Sequence, residues 1–316
     1  MAEYALKRLL WLPPLLLVVS LITFALMHAI EGGPWAEEKP LPPAVVENLN
    51  RKYGLDKPVW RQYVNFVADA VQGDLGISYQ GQDRPVTQII LRGFRVTAVL
   101  GFVALGVALI AGVGFGVASA VNRNKPVDYA GVLFASAGAA VPGFVLAVFL
   151  IYVFGVQLHL LPTFGWDMRR GLVPGWLPRL DQMVLPVITL SVLPAAYLAR
   201  VTRASLVEAL GQDYVRTARA KGLGSAAVLL RHGMPNAAIP MLTVIGPIAA
   251  GLVTGSFIVE YMFSIPGTGR LLVQSINARD YAMIMGTTLF YAAVIAVANL
   301  AVDLAYAAVD PRIRYR

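Results

Sequence analysis

Six stretches of this chain carry no charged side chain: Leu9–Ile30, Val96–Val121, Tyr129–Leu158, Met183–Ala199, Asn236–Val259 and Tyr281–Val302. A helix crosses the ~30 Å hydrocarbon layer of a bilayer with about 20 apolar residues, and five of the six runs reach that length. The fourth has 17 residues and extends past Arg200 toward Leu206, since a terminal arginine can snorkel to the headgroups. The third holds Pro142-Gly143 near its middle, which predicts a kink or an early break. Charged residues make up 14% of the chain and hydrophobic ones 57%, against about 25% charged in a soluble domain. So few charges cannot cover so much apolar surface in water. In lipid every backbone polar group must be satisfied within its own segment, so the runs are helices. The fold class is therefore an all-α polytopic membrane protein with six transmembrane helices. Cysteine is absent, which excludes disulfides and thiolate metal sites.

Six spans put both termini on one side, and the short connections choose the side. Segments 1–8, 122–128, 200–235 and 310–316 hold thirteen Lys and Arg: Lys7, Arg8, Arg123, Lys125, Arg200, Arg203, Arg216, Arg219, Lys221, Arg231, Arg312, Arg314 and Arg316. The opposite connections, 159–182 and 260–280, hold Arg169, Arg170, Arg179, Arg270 and Arg279. The basic side, with both termini, is predicted to be cytoplasmic, which also accounts for the net charge of +8. The first run reads as a retained helix rather than a cleaved leader, because it is too long and no A-x-A site follows it. The chain then divides into a first helix at 1–30, a large extracytoplasmic segment at 31–95 with eight basic and eight acidic residues, and a five-helix core at 96–316.

In the outer segment, Pro40, Pro42 and Pro43 open a polar stretch. Val59, Tyr63, Phe66, Val67, Ala70 and Val71 then recur with helical period, predicting an amphipathic helix over 59–71 that lies on the membrane surface or on its own domain. Gly73, Gly76 and Gly81 end it. Within the spans, Gly112/Gly116 and Gly251/Gly255 have the spacing of close helix contacts, favouring packing within one bundle over a dimer seam. Asp303 is the main intramembrane charge, within reach of Arg312 or Arg314 if the helix continues. His28, His159 and His232 are spread over both sides and form no single metal site. No chain of acids or histidines crosses the membrane, which weighs against a stand-alone secondary transporter or channel. No G-x-S-x-G, H-E-x-x-H or G-x-x-x-x-G-K-[ST] pattern occurs, so neither an intramembrane hydrolase nor an ATP-binding loop is encoded.

The most informative segment is the basic connection 207–235. Asp213 is a good cap for a helix over Tyr214–Lys221, Gly222-Leu-Gly224 breaks it, and Ser225 can cap a second helix running to Pro235. A nucleic-acid role for this helix–turn–helix is poor, because membrane helices tether it at both ends; the alternatives are a solvated loop and a lever docked in a cytoplasmic partner. The spacing separates them. Ala218, Gly222 four residues later and Pro235 thirteen after that resemble the E-A-A-x3-G-x9-I-x-L-P loop of ABC importer permeases. Arg216 stands at the Glu position, Thr217 and Ala218 at the alanines, and His232-Gly-Met-Pro235 at I-x-L-P. Further stretches extend the resemblance over nearly the whole chain to the B-type permeases of bacterial oligopeptide importers: Gly73-Asp-Leu-Gly76, Val141-Pro-Gly-Phe144, Leu160-Leu-Pro162, Arg200-Val-Thr-Arg203, Thr254-Gly-Ser256, Arg279-Asp-Tyr281 and Val309-Asp-Pro-Arg-Ile-Arg-Tyr315.

This resemblance implies a type I ABC importer in the bacterial plasma membrane. Its parts are this chain, a homologous C-type permease, two cytoplasmic ATPases that use ATP and Mg2+, and an extracytoplasmic solute-binding protein that delivers peptide. This chain itself binds no cofactor or metal and catalyses nothing. Asp213, Arg216, Thr217, Ala218, Lys221, Gly222 and Pro235 are the implied ATPase-coupling residues. Oligopeptide is the favoured cargo, with dipeptides, nickel chelates or glutathione as alternatives.

Overall fold

The computed structural model describes residues 2–30, 33–35, 42–80, 84–168, 170–171, 173, 175 and 177–309. Pro40, Gly81, Arg169 and the C-terminal ending with Arg312, Arg314 and Arg316 lie outside the described residues. The helices are α1 (Ala2–Ala29), α2 (Pro43–Tyr53), α3 (Val59–Val71), α4 (Val86–Val121), α5 (Pro126–Ala140), α6 (Gly143–Leu150), α7 (Leu180–Leu210), α8 (Asp213–Ala220), α9 (Ser225–Val228), α10 (Met234–Thr254), α11 (Phe257–Met262), α12 (Thr268–Asn277) and α13 (Tyr281–Val309). Two π-helical turns, Ile151–Gln157 and Leu229–Gly233, continue α6 and α9.

Five helical segments of the described residues are long and apolar enough to cross a membrane: Leu6–Ala29, Val86–Val121, Leu180–Leu210, Ser225–Met262 and Tyr281–Leu304. The remaining charge-free run, Tyr129–Leu158, forms a bent pair. Pro126–Ala140 and Gly143–Gln157 meet at 102°, far more than a kink. Val141 and Pro142 are both extended there, at ψ 118° and 138°: proline disfavours a helical residue before it and supplies no N–H to bridge the gap. The other spans differ from the charge-free runs at their ends. α4 starts ten residues before Val96 and takes in Arg92 and Arg95, α7 runs through Arg200 and Arg203, and α10 stops at Gly255, whose φ of +90° only glycine adopts without strain. α3 has the predicted limits. α2 is a helix where only a polar stretch was read; Pro43 supplies a preset first turn, and Gly54 closes it at φ +69° with Leu55 N–H donating to the Asn50 carbonyl (2.8 Å).

The chain forms two compact units. One comprises Ala98–Ile265 with the described residues from Ala298 to Val309. Its helices meet through small residues, as expected where lipid offers no hydrophobic drive. A Cβ added at Gly112 would lie 2.6 Å from Leu198 Cβ, and one at Gly116 would lie 2.5 Å from Thr202 Cβ. The first glycine pair therefore seats α4 on α7 within the chain. Gly138 seats α5 on Ala196 of α7, and Gly101 seats α4 on the Leu252 carbonyl of α10. Gly251 faces open space, so the second pair makes no such seam within the described chain. Ser191 Oγ donates across to the Ala104 carbonyl (3.0 Å).

The second unit comprises Ala2–Thr97 and Pro266–Val297. Here the amphipathic α3 lies on α1: Tyr63 and Phe66 pack on Phe24, Met27 and Met285, and the Ser20 and Tyr63 hydroxyls are 2.9 Å apart. Trp60, Val64 and Val71 of the same helix remain exposed. His28 is used in this packing, with Nδ1 against the Phe24 carbonyl and its ring beside Phe24 and Tyr281. Asp280, 2% exposed, caps α13 through the Met283 N–H (3.1 Å) and accepts the Ser78 hydroxyl (2.6 Å).

Candidate functional site

The site is the basic connection between α7 and α10, and it lies entirely within the first unit. Only Gly211 and Gln212 separate α7 from α8. Gln212, extended at ψ 156°, is the helix cap, and its carbonyl accepts the Val215 and Arg216 N–H groups. Asp213, predicted as the cap, is instead the first helical residue: its carboxylate turns to Arg216 Nη1 at 3.1 Å rather than to a backbone N–H. An acid in the first turn still suits the helix dipole.

Eight residues cannot hold a helix by themselves, so α8 depends on one apolar seam. Val215, Ala218 and Val228 are buried at 0%, 6% and 1% exposure, with Leu210 and Leu223 packed against them. Residues 215 and 218 are one helical turn apart; the intervening Arg216 and Thr217, and Arg219 beyond them, face outward. The end of α8 is a Schellman motif. Gly222, at φ +81°, donates to the Arg219 carbonyl (2.9 Å), Leu223 donates to the Ala218 carbonyl (3.2 Å), and Leu223 packs back on Ala218. A Cβ at Gly222 would meet nothing within 4 Å. The glycine is needed for its backbone, not for space.

Ser225, like Asp213, is a first helical residue, with Gly224 at the cap position. The helix it opens does not stop at Pro235. It passes through the π-helical turn, where the Met234 N–H reaches back five residues to the Leu229 carbonyl, and becomes α10. Widening the turn lets the chain carry a proline without the usual fourth-residue bond. Thus Asp213, Arg216, Thr217, Lys221 and Gly222 form one exposed surface with Ala218 buried beneath it, while Pro235 is exposed at the start of α10, apart from the group. Asp213–Arg216 is the ion pair of that surface, with side chains 93% and 77% exposed.

One feature went unread in the sequence. Asp128, 2% exposed in the first turn of α5, receives a bidentate grip from Arg203 of α7, Nε to Oδ1 at 2.5 Å and Nη2 to Oδ2 at 2.8 Å. The Asn124 N–H adds a third bond (2.9 Å). The partners are 75 residues apart, and only the acid's place just after Pro126 hinted at a helix start. Asp303 lies in α13, and the arginines expected to neutralise it are among the undescribed residues.

An all-α chain of long apolar helices, with a short exposed helix between two of them, defines a polytopic membrane protein. It resembles a solved inward-facing structure of the MetNI methionine ABC transporter, with TM-score 0.56 and 19% identity over 71% of this chain and 97% of that one. An amino acid ABC transporter structure gives 0.53 at 18% identity, over 72% and 95%. Residues 112–315 match the family described as binding-protein-dependent transport system inner membrane component, and residues 1–101 match its N-terminal membrane component. The dipeptide transport system permease protein DppB of Bacillus subtilis is 41% identical over 99% of this chain and 98% of its own. The oligopeptide permease protein OppB of Escherichia coli K12 is 36% identical over the full length of both, and the glutathione permease protein GsiC of Pectobacterium atrosepticum is 41% identical, again over both. The chain belongs to the binding-protein-dependent transport system inner membrane component family, as a B-type permease.

Proposed function

We propose that this chain is one of two membrane subunits of an ATP-driven peptide importer, and that residues 213–235 are its coupling element. Oligopeptide from an extracytoplasmic binding protein passes along a path shared with a C-type permease, and two cytoplasmic ATPases bind and spend ATP with Mg2+. Both termini and the 207–235 connection are cytoplasmic. The helix at 1–30, the outer segment 31–95 and the core 96–316 serve as anchor, outer face and moving bundle.

The observation that carries this reading is the construction of α8. A coupling element must transmit displacement, so it needs stiffness and short connections rather than a catalytic group. α8 hangs from α7 by two residues and is locked to α9 by the Val215–Ala218–Val228 seam. α9 continues without a break into α10. A push on the exposed Arg216–Thr217–Lys221 surface therefore reaches two spans at once. The natural sequence has no cysteine, so Thr217→Cys introduces one thiol into the chain. In the purified assembly, a photoactivatable thiol reagent at that position should give an adduct of this chain with an ATPase subunit. An assembly active in uptake that forms no such adduct would overturn the assignment.

A second cargo reading is favoured by one observation: the dipeptide and glutathione relatives are 41% identical, the oligopeptide relative 36%. Competition of dipeptide, tripeptide and pentapeptide for uptake in proteoliposomes with the cognate binding protein decides between them.

A further inference from the structure

Beside the coupling element is a groove of about 520 Å³. Its floor is apolar, formed by Val121 at the end of α4, Leu210 at the end of α7, and Val228 and Leu229 beyond the turn. Its rim carries Arg123 and Arg219. Both arginines are exposed, neither makes an ion pair among the described residues, and no carboxylate belongs to the described lining. The groove is thus a cationic mouth over an apolar floor, placed where two spans end.

We propose that this groove holds one anionic phospholipid of the cytoplasmic leaflet, its phosphate between Arg123 and Arg219 and the start of an acyl chain on the Val121–Leu210–Leu229 floor. Three features select this occupant. The first is position: Val121 closes a charge-free run and Arg123 follows two residues on, the pattern of a span meeting the headgroup region. Two guanidiniums at the rim of a groove whose described lining holds no carboxylate match a phosphodiester, since Asp128, the acid within electrostatic reach of Arg123, is already gripped by Arg203, and guanidinium binds phosphate oxygens in a two-pronged geometry. Basic pockets between spans on the cytoplasmic side have the chemistry to hold anionic headgroups, whereas a free phosphate would gain nothing from the apolar floor. Arg219 belongs to α8 and Arg123 to the α4–α5 connection, so a lipid bridging them ties the coupling element to the bundle. The headgroup then becomes part of the joint through which α8 moves.

This inference rests on the cytoplasmic placement proposed above, and the test separates the two. The intact importer complex is reconstituted in nanodiscs of phosphatidylcholine with or without cardiolipin, and tightly retained lipid is counted by native mass spectrometry. One anionic lipid per copy of this chain is expected, with roughly tenfold to thirtyfold weaker retention in Arg123→Gln/Arg219→Gln and no displacement by inorganic phosphate. Ala226→Trp, which fills the groove and leaves both arginines in place, should displace the same lipid even if the double variant fails to assemble. Unchanged retention in both variants overturns the proposal, and displacement by inorganic phosphate reassigns the groove to a soluble anion and overturns the lipid. Separately, Lys125→Cys should react with an impermeant maleimide only after lysis. Labelling in intact cells overturns the topology, and with it the leaflet; labelling only after lysis with no retained lipid sinks the lipid site alone.

Discussion

The two units of the chain each rely on a buried carboxylate, but they use it differently. In the unit carrying the described part of 31–95, Asp280 is met by neutral donors: the Ser78 hydroxyl, the Gln80 N–H at 3.3 Å and the first turn of α13. Aromatic rings stack over the same region, Trp35 and Tyr53 against Tyr79, and burial together with the Asp280 charge pushes the Tyr79 phenol well above its usual range. Polar groups there point inward and are spent on the fold. In the unit carrying the connection, the carboxylate of Asp128 is met by a cation, and beyond it the polar groups of α8 all point outward, over a seam of three small apolar side chains. The first region is built to hold its shape; the second is built to hold its shape while offering its charges to something else.

The largest effect should come from Arg203→Met, which strands Asp128 at 2% exposure. Breaking a fully buried pair costs about 3–5 kcal/mol; because Arg203 is 30% exposed, about 3 kcal/mol is expected. Urea or thermal unfolding of the detergent-solubilised complex measures it, and a loss under about 1 kcal/mol would show that the pair is not an anchor. Asp280→Ala follows at about 2 kcal/mol, from one unsatisfied hydroxyl and one lost helix cap. Asp280→Asn retains the cap and should recover about half of that. Equal losses for the two would show that the charge, not the capping geometry, matters in this unit.

Gly222 sharpens the contrast. Alanine at φ +81° costs about 1 kcal/mol of backbone strain, and the open space above it means tryptophan should cost little more, with asparagine the least. If α8 is gripped by an ATPase, uptake should fall far more steeply than stability between alanine and tryptophan: near normal for Gly222→Asn, reduced for Gly222→Ala, abolished for Gly222→Trp at matched membrane expression. Uptake that simply tracks unfolding midpoints would mean that nothing occupies the space above Gly222.

What could be read from the residues alone divides along a physical line. Features set by local pattern were legible: the charge-free runs, the helix Val59–Val71, the break at Gly222 and the bend at Pro142, because each depends on hydropathy period or on one residue's φ preference. Helix starts were misplaced by one position at Asp213 and Ser225, since both residues are good caps and the choice between a cap and a first-turn place is settled by a hydrogen bond, not by residue type. Continuation through Pro235 was missed because the usual rule assumes a bond four residues back, and the π turn avoids it. The grip of Arg203 on Asp128 and the seating of Gly112 and Gly116 on α7 depend on which helix lies opposite, and nothing in a single sequence pairs α4 or α5 with α7.

The smallest expected effect on the fold is at Arg216, and it tests the comparison most directly. Its pair with Asp213 is three residues apart on an exposed helix and nearly all in water, so Arg216→Ala should change stability by no more than about 0.5 kcal/mol. A residue spent on the fold would show its loss there; one offered to a partner shows it elsewhere. The loop pattern that this segment resembles has Glu where Arg216 stands; if an ATPase grips α8 as proposed, the surface it turns to Arg216 should be acidic to match. Arg216→Glu should then lower peptide uptake in proteoliposomes more than Arg216→Ala, and ATP hydrolysis should lose its response to loaded binding protein in the same order. If both variants transport at the native rate, the outward charges of α8 serve solvation only, and the distinction drawn between the two regions does not hold.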